Sequence, residues 1–320
     1  MGRVCASPHF VPSFAVMIAL GLCIFVSTLM FSCFRLFPKW NVKLEDAIVI
    51  NYIVAATLSV LLAGPEHAWS RLGAPSTWAG VAMGVIFLYM FRKIGECTQQ
   101  LGLGVVAIAT KMSMVLPMMV FILMDPSDAY SWQKGAAILL AFPAVWFAST
   151  QGRKASENQP TAEHADAPAS ASSKSQWILP AIVFLGSGLI DLGFGWFSGP
   201  EHMSCNEDRL SFAAIPFSMA ALIGVSRWSF IPRCAPQWNR STVIGGIILG
   251  VINVGSLFFL LSTYQQMPLS RSAIVPLINL GVVLATSFTG MLFFSERPSL
   301  RNIFGWFLAT LALVLLLQTD

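Results

Sequence analysis

Ten apolar runs follow one another along the chain, at approximately 11–34, 45–64, 77–99, 104–124, 131–150, 177–198, 208–227, 242–266, 270–294 and 299–317. Each approaches the roughly 20 residues that a helix needs to cross a bilayer. Most connections between them are short, which makes consecutive helices antiparallel neighbours. The pattern predicts an all-α membrane protein with ten transmembrane helices.

The runs repeat. Displaced by 166 positions, Gly80–Ile108 falls on Gly246–Ile274 with 9 identities in 29 ungapped positions. Among them are Gly80 and Gly84 on Gly246 and Gly250, and Gln99-Gln100 on Gln265-Gln266. Glu45-Asp46 and Glu207-Asp208 both open the second run of their half, where carboxylates favour the positive end of a helix dipole. Leu20-Gly21 and Leu185-Gly186 correspond as well. So long a period reads as a duplicated half-protein rather than a solenoid. An odd number of spans per half inserts the second copy upside down, which predicts two inverted five-helix repeats.

Between the copies lies QGRKASENQPTAEHADAPASASSKS, residues 151–175, rich in Ala, Ser and Pro and without aromatics. Such a composition does not bury enough apolar surface to offset its ordering entropy. The predicted organisation is a first repeat at 1–150, a flexible linker at 151–175 and a second repeat at 176–320.

The second half, from SAIVPLINLGVVLATSFTGMLFF through SERPSLRNIFGWFLATLALVLL, resembles the EamA-type repeat of the drug/metabolite transporter superfamily. The features shared are Pro276, the Ser-Glu-Arg-Pro-Ser turn at 295–299 and Gly305 in the next helix. The first copy departs from this pattern, with Thr110 in place of Pro276, a later proline at Pro117, and Asp125-Pro126-Ser127-Asp128 in place of the Glu turn. The resemblance implies a secondary transporter of the cell (inner) membrane. It would move a small metabolite such as an amino-acid-like solute by alternating access, commonly outward.

An ionisable group inside a span is a functional hypothesis by default, because it costs at least about 2.5–3.5 kcal/mol at the bilayer centre. The third run carries Tyr89, Arg92, Lys93 and Glu96 at helical spacings of three and four. Lys111 lies in the fourth run, at a depth of about 10 Å that matches Arg92. Asp191 lies about 21 Å into the sixth, among Gly186, Gly188, Gly193 and Gly195. Asn253 and Asn279 fall near mid-span in the eighth and ninth runs. The predicted substrate-binding set is Lys111, Asp191, Asn253, Asn279, Glu96, Arg92 and Tyr89. In this reading Lys111 faces a substrate carboxylate or phosphate, and Asp191 faces an amine or a coupling proton. The competing readings are structural. Arg92 and Lys93 can snorkel with Glu96 as partner, Asp191 can bond a neighbouring helix, and the two asparagines can join helices.

Composition narrows the classes. Of 320 residues, 56% are hydrophobic and only 11% charged, against roughly 25% in soluble domains. The net charge of +4 is scattered, so there is no basic face for nucleic acid. No P-loop, G-x-S-x-G elbow or H-E-x-x-H helix occurs, and the six cysteines have no C-x-x-C or Cys/His ligand spacing. No cofactor or metal is therefore expected. The expected partners are a small solute, a possible coupling proton and the bilayer, with the chain acting as monomer or homodimer. A membrane-embedded enzyme and a non-transporting scaffold are the alternatives. The N-terminal run from Phe10 to Phe34 is longer than a signal-peptide core of roughly 7–15 residues. Lys and Arg counts place both termini outside, whereas members of the resembled family generally have cytoplasmic termini, so the sequence leaves the side open.

Overall fold

The computed structural model describes residues 13–69, 75–101, 109–125, 128, 130–149, 175–198, 205–230, 236, 239–294 and 299–318. These residues form helices α1 (Ser13–Leu36), α2 (Leu44–Ala63), α3 (Pro75–Leu101), α4 (Val115–Met124) and α5 (Trp132–Ser149). They continue with α6 (Ser175–Phe197), α7 (Asn206–Phe230), α8 (Arg240–Gln266), α9 (Arg271–Phe294) and α10 (Leu300–Leu316). A single helical turn, Pro65–Trp69, follows α2. There is no strand among the described residues.

Seven of these helices are long and apolar enough to cross a membrane: α1, α2, α3, α6, α7, α8 and α9. Three predicted spans come out differently. The 104–124 run is described only from Ala109, and its helix breaks at Ser113–Met114. The 131–150 and 299–317 runs become α5 and α10, with 18 and 17 residues. At 1.5 Å per residue these reach about 26–27 Å, slightly short of the ~30 Å hydrocarbon core. The segment 151–175 lies outside the described residues, except for Ser175 at the start of α6.

The break before α4 has a local cause. Pro117 has no N–H, so it cannot donate to the Ser113 carbonyl four residues back. That carbonyl accepts from Leu116 N at 3.0 Å instead, and the Ser113 hydroxyl donates to Thr110 O at 2.6 Å. The helix tightens there, immediately after Lys111.

The chain packs as two units, and each contains segments from both ends of the sequence. The first comprises 1–89 and 193–268, the second 90–192 and 269–320.

In the first unit, glycines let helices touch backbone to backbone. A Cβ on Gly80 would lie 2.9 Å from Ile215, and one on Gly84 2.6 Å from the Pro216 carbonyl and 2.7 Å from Met219. In the stretch 166 residues on, a Cβ on Gly246 would lie 2.7 Å from Ile50, and one on Gly250 2.9 Å from the Asn51 carbonyl and 2.7 Å from Val54. Ile215, Pro216 and Met219 follow Ile50, Asn51 and Val54 at one constant offset of 165 residues. Thus α3 packs on α7 as α8 packs on α2, residue for residue. Without water to drive apolar association, such close approach is a main source of helix affinity in lipid. Tyr52, Phe87, Phe194 and Phe217 fill the space beside these contacts, with neighbouring ring centroids 5.5–6.4 Å apart.

In the second unit, α5 and α10 pack together. Both begin on a serine cap, Ser131 accepting from Lys134 N and Ser299 from Asn302 N, each at 3.3 Å. The Asn302 amide then donates to Phe147 O at 3.0 Å, and Phe147 meets Phe304 edge-on at 5.5 Å. Helix α9 supplies the core: every residue from Ser272 to Val283 is buried except Asn279.

Candidate functional site

The exception in that buried run joins two predicted charges. Lys111 Nζ donates to Asn279 Oδ1 at 3.1 Å, and Asn279 Nδ2 donates to Asp191 Oδ2 at 3.4 Å and to Val275 O at 3.2 Å. The amide orientation follows from chemistry. An ammonium offers only donors, while a carboxylate and a carbonyl offer only acceptors, so the oxygen must face Lys111 and the nitrogen Asp191. The result is a relay of ammonium, carboxamide and carboxylate across three segments of the second unit.

Local structure places each member. Lys111 ends the helical turn that Pro117 interrupts. Asp191 reaches it because α6 comes close at Gly188, one turn earlier, where a Cβ would lie 3.0 Å from Ser113 O and 2.6 Å from Leu116 Cδ1. All three relay residues keep part of their surface accessible, although their neighbours on α9 do not. The opposite charges neutralise each other through the amide, so the layer carries a separated cation and anion at little net charge.

The relay supplies partners that the local sequence does not: the sixth run holds no cation for Asp191 and the fourth run no carboxylate for Lys111. Each acquires the other through Asn279 on a third helix. Asn253 donates to Asn51 Oδ1 at 3.1 Å, within the first unit. Among the described residues the buried Asn51 amide nitrogen has no hydrogen-bond partner.

Of the remaining predicted residues, Tyr89 is 49% exposed and closes the first segment of the first unit. Arg92 is exposed and begins the second unit with Lys93, which is partly buried. Glu96 lies in α3, and its side chain falls outside the described ones, as do those of Gln99 and Gln100.

Three polar clusters escaped sequence reasoning. Asp128, 1% exposed, pairs with Lys134, 3% exposed, at 2.8 Å, and accepts from Ser272 N at 2.7 Å and Ser272 Oγ at 2.5 Å. It thereby caps the start of α9 from a distant loop, beside an Arg271–Asp125 pair at 3.9 Å. Arg209, 6% exposed, donates to Gln265 and Asn206 at 2.6 Å and to Ser262 at 3.0 Å. Gln265 thus holds a buried guanidinium, a structural use for part of the repeated Gln-Gln pair. Lys134, Arg209 and Arg271 stand in the first few residues of their predicted runs, and all three are tied inside the fold. The third cluster joins His67, Cys205 and Asp208.

No family model matches the chain. It is 26% identical over 291 residues to an uncharacterized protein of Haemophilus influenzae, covering 88% of this chain and 91% of that one. A solved structure described only as a crystal structure of a protein superposes with a TM-score of 0.62 at 11% identity, over 92% of this chain and 95% of that one. That likeness is one of fold. Together with the seven long apolar helices it describes an all-helical, multi-pass membrane protein.

Proposed function

We propose that this chain is a secondary transporter of the EamA type in the drug/metabolite transporter superfamily. It comprises ten spans arranged as two inverted five-helix repeats, 1–150 and 176–320, joined by a linker at 151–175. It moves a small polar metabolite across the cell (inner) membrane by alternating access, in the outward direction. The observation that carries this reading is the Lys111–Asn279–Asp191 relay, whose three members keep part of their surface accessible, Asn279 alone doing so in the stretch from Ser272 to Val283.

A carrier for an amino-acid-like solute needs a cation for the carboxylate and an anion for the ammonium. Lys111 and Asp191 supply these, and Asn279 holds them in register while the site is empty. A zwitterion entering between them exchanges one neutral charge pair for two, so no net charge is left in the low-dielectric interior. Asp191 is also the group to take up and release a coupling proton. The duplication is supported by the reciprocal glycine contacts, by matching serine caps on α5 and α10, and by the equal 27-residue lengths of α3 and α8.

The test is flux into vesicles holding the purified chain, with a panel of labelled zwitterionic and anionic solutes. Loss of one charge-assisted contact costs about 1.5–3 kcal/mol. That predicts roughly ten- to a hundred-fold weaker transport for Lys111→Ala and Asp191→Asn, both still folded. Full flux in both variants would remove the relay from the site. A chemically altered product would instead make the chain an enzyme.

A further inference from the structure

The transport reading leaves aside the third polar cluster, in the first unit. A ring nitrogen of His67, Cys205 Sγ and a carboxylate oxygen of Asp208 all lie within 4.8 Å of one another. Cys205 and Asp208 stand three residues apart, but His67 lies 138 residues before the first of them, so the sequence does not advertise the trio. We propose that these three side chains form a binding site for a borderline divalent cation of the zinc class.

The geometry suits such an ion. Zinc bonds to His nitrogen, Cys sulfur and carboxylate oxygen run about 2.0–2.3 Å, which sets the ligand atoms of a tetrahedron about 3.3–3.8 Å apart. His67 Nε2 and Asp208 Oδ1 are 3.1 Å apart, within a few tenths of that edge. The ion takes the place of the hydrogen that now lies between them. Asp208 Oδ2 meanwhile accepts from Cys205 N at 3.3 Å, which orients the carboxylate and holds the cysteine beside it. Asp208 is nearly fully buried, whereas the His67 side chain is 38% exposed and can turn to close the site.

The backbone also points His67 inward. Gly64 ends α2 at φ +83°, a conformation that favours glycine, and the chain reverses there into the Pro65–Trp69 turn. The Ser211 hydroxyl, which donates to Glu207 O at 2.7 Å, lies 3.4 Å from His67 O, so that turn rests against α7.

The charge balance closes. Binding releases the Cys205 thiol proton to solvent, and His67 binds as the neutral ring with its proton on Nδ1. Thiolate and carboxylate then neutralise the dication. Among the described residues the nearby charges include Glu66, next to His67 in the chain, Glu207, exposed on the first turn of α7, and Arg209, whose guanidinium is held by Gln265, Asn206 and Ser262. Three protein ligands leave a fourth position for water. The ion would staple the end of α2 to the start of α7.

Cobalt reports on this site directly, because a thiolate bound to Co²⁺ gives a near-ultraviolet charge-transfer band and a tetrahedral field gives visible d–d bands. The full chain, purified in detergent, reduced and stripped with chelator, is titrated with CoCl₂ and then with ZnCl₂. One cobalt per chain with both bands, displaced by one zinc, is expected. Cys205→Ser abolishes the charge-transfer band, and a Cys5→Ser/Cys234→Ser variant keeps it. His67→Ala weakens zinc by at least the ten-fold typical of losing even an outer-shell partner. Zinc raises the Tm of the unsubstituted chain and leaves that of Cys205→Ser unchanged. The proposal is overturned if no charge-transfer band develops, if the band survives in Cys205→Ser, or if zinc shifts both melting temperatures equally.

Discussion

Removing one end of the Lys111–Asn279–Asp191 relay should cost more than removing both. Lys111→Met leaves Asp191 without its cation, and Asp191→Leu leaves Lys111 without its anion. Each single variant strands a charge in a medium where an isolated one costs about 2.5–3.5 kcal/mol at the centre. The double variant strands none. Lys111 and Asp191 both keep part of their surface accessible, and solvent reaching them screens the interaction. The expected coupling therefore falls below the full figure, at about 1–2 kcal/mol. The assay is a double-mutant cycle on equilibrium unfolding in mixed micelles, with the asparagine retained throughout. Asn279→Leu supplies the internal control: with the bridge gone, the coupling between 111 and 191 should shrink. Strictly additive effects, within the ~0.5 kcal/mol seen for independent sites, would refute the relay as an energetic unit.

The glycine contacts and the α9 cap give two further tests. Gly84→Val and Gly250→Val each push a side chain into a backbone carbonyl at 2.6 and 2.9 Å, so both should destabilise by about 1–3 kcal/mol or more. Unfolding measurements in which one is tolerated and the other is not would break the equivalence of the two contacts. Asp128→Ala removes the buried ion pair with Lys134 and both Ser272 bonds, with an expected loss of about 3–5 kcal/mol. Lys134→Met should cost less, because Asp128 keeps its two bonds to Ser272. Chemical unfolding that ranks these two in the opposite order would contradict the cap.

The sequence by itself determined the helices, since apolar runs near 20 residues leave few options in lipid, where every backbone polar group must be satisfied within its own segment. It also showed Gly80 and Gly84 in register with Gly246 and Gly250, whatever they touch. It flagged Lys111, Asp191 and Asn279 singly, as each is costly in a span for local reasons alone. What each of these would touch was beyond it. Lys111 has no carboxylate within a helical turn, and its partners lie on α6 and α9, brought close by the missing Cβ of Gly188 and the break that Pro117 imposes. Lys134, Arg209 and Arg271 look like charges at the ends of apolar runs because hydropathy registers where a residue stands in the chain, whereas burial depends on which other segment arrives to solvate it. His67, Cys205 and Asp208 make the same point most sharply. Side-chain convergence across 138 residues is decided by packing of α7 against the turn after α2, and a one-dimensional pattern holds no term for it.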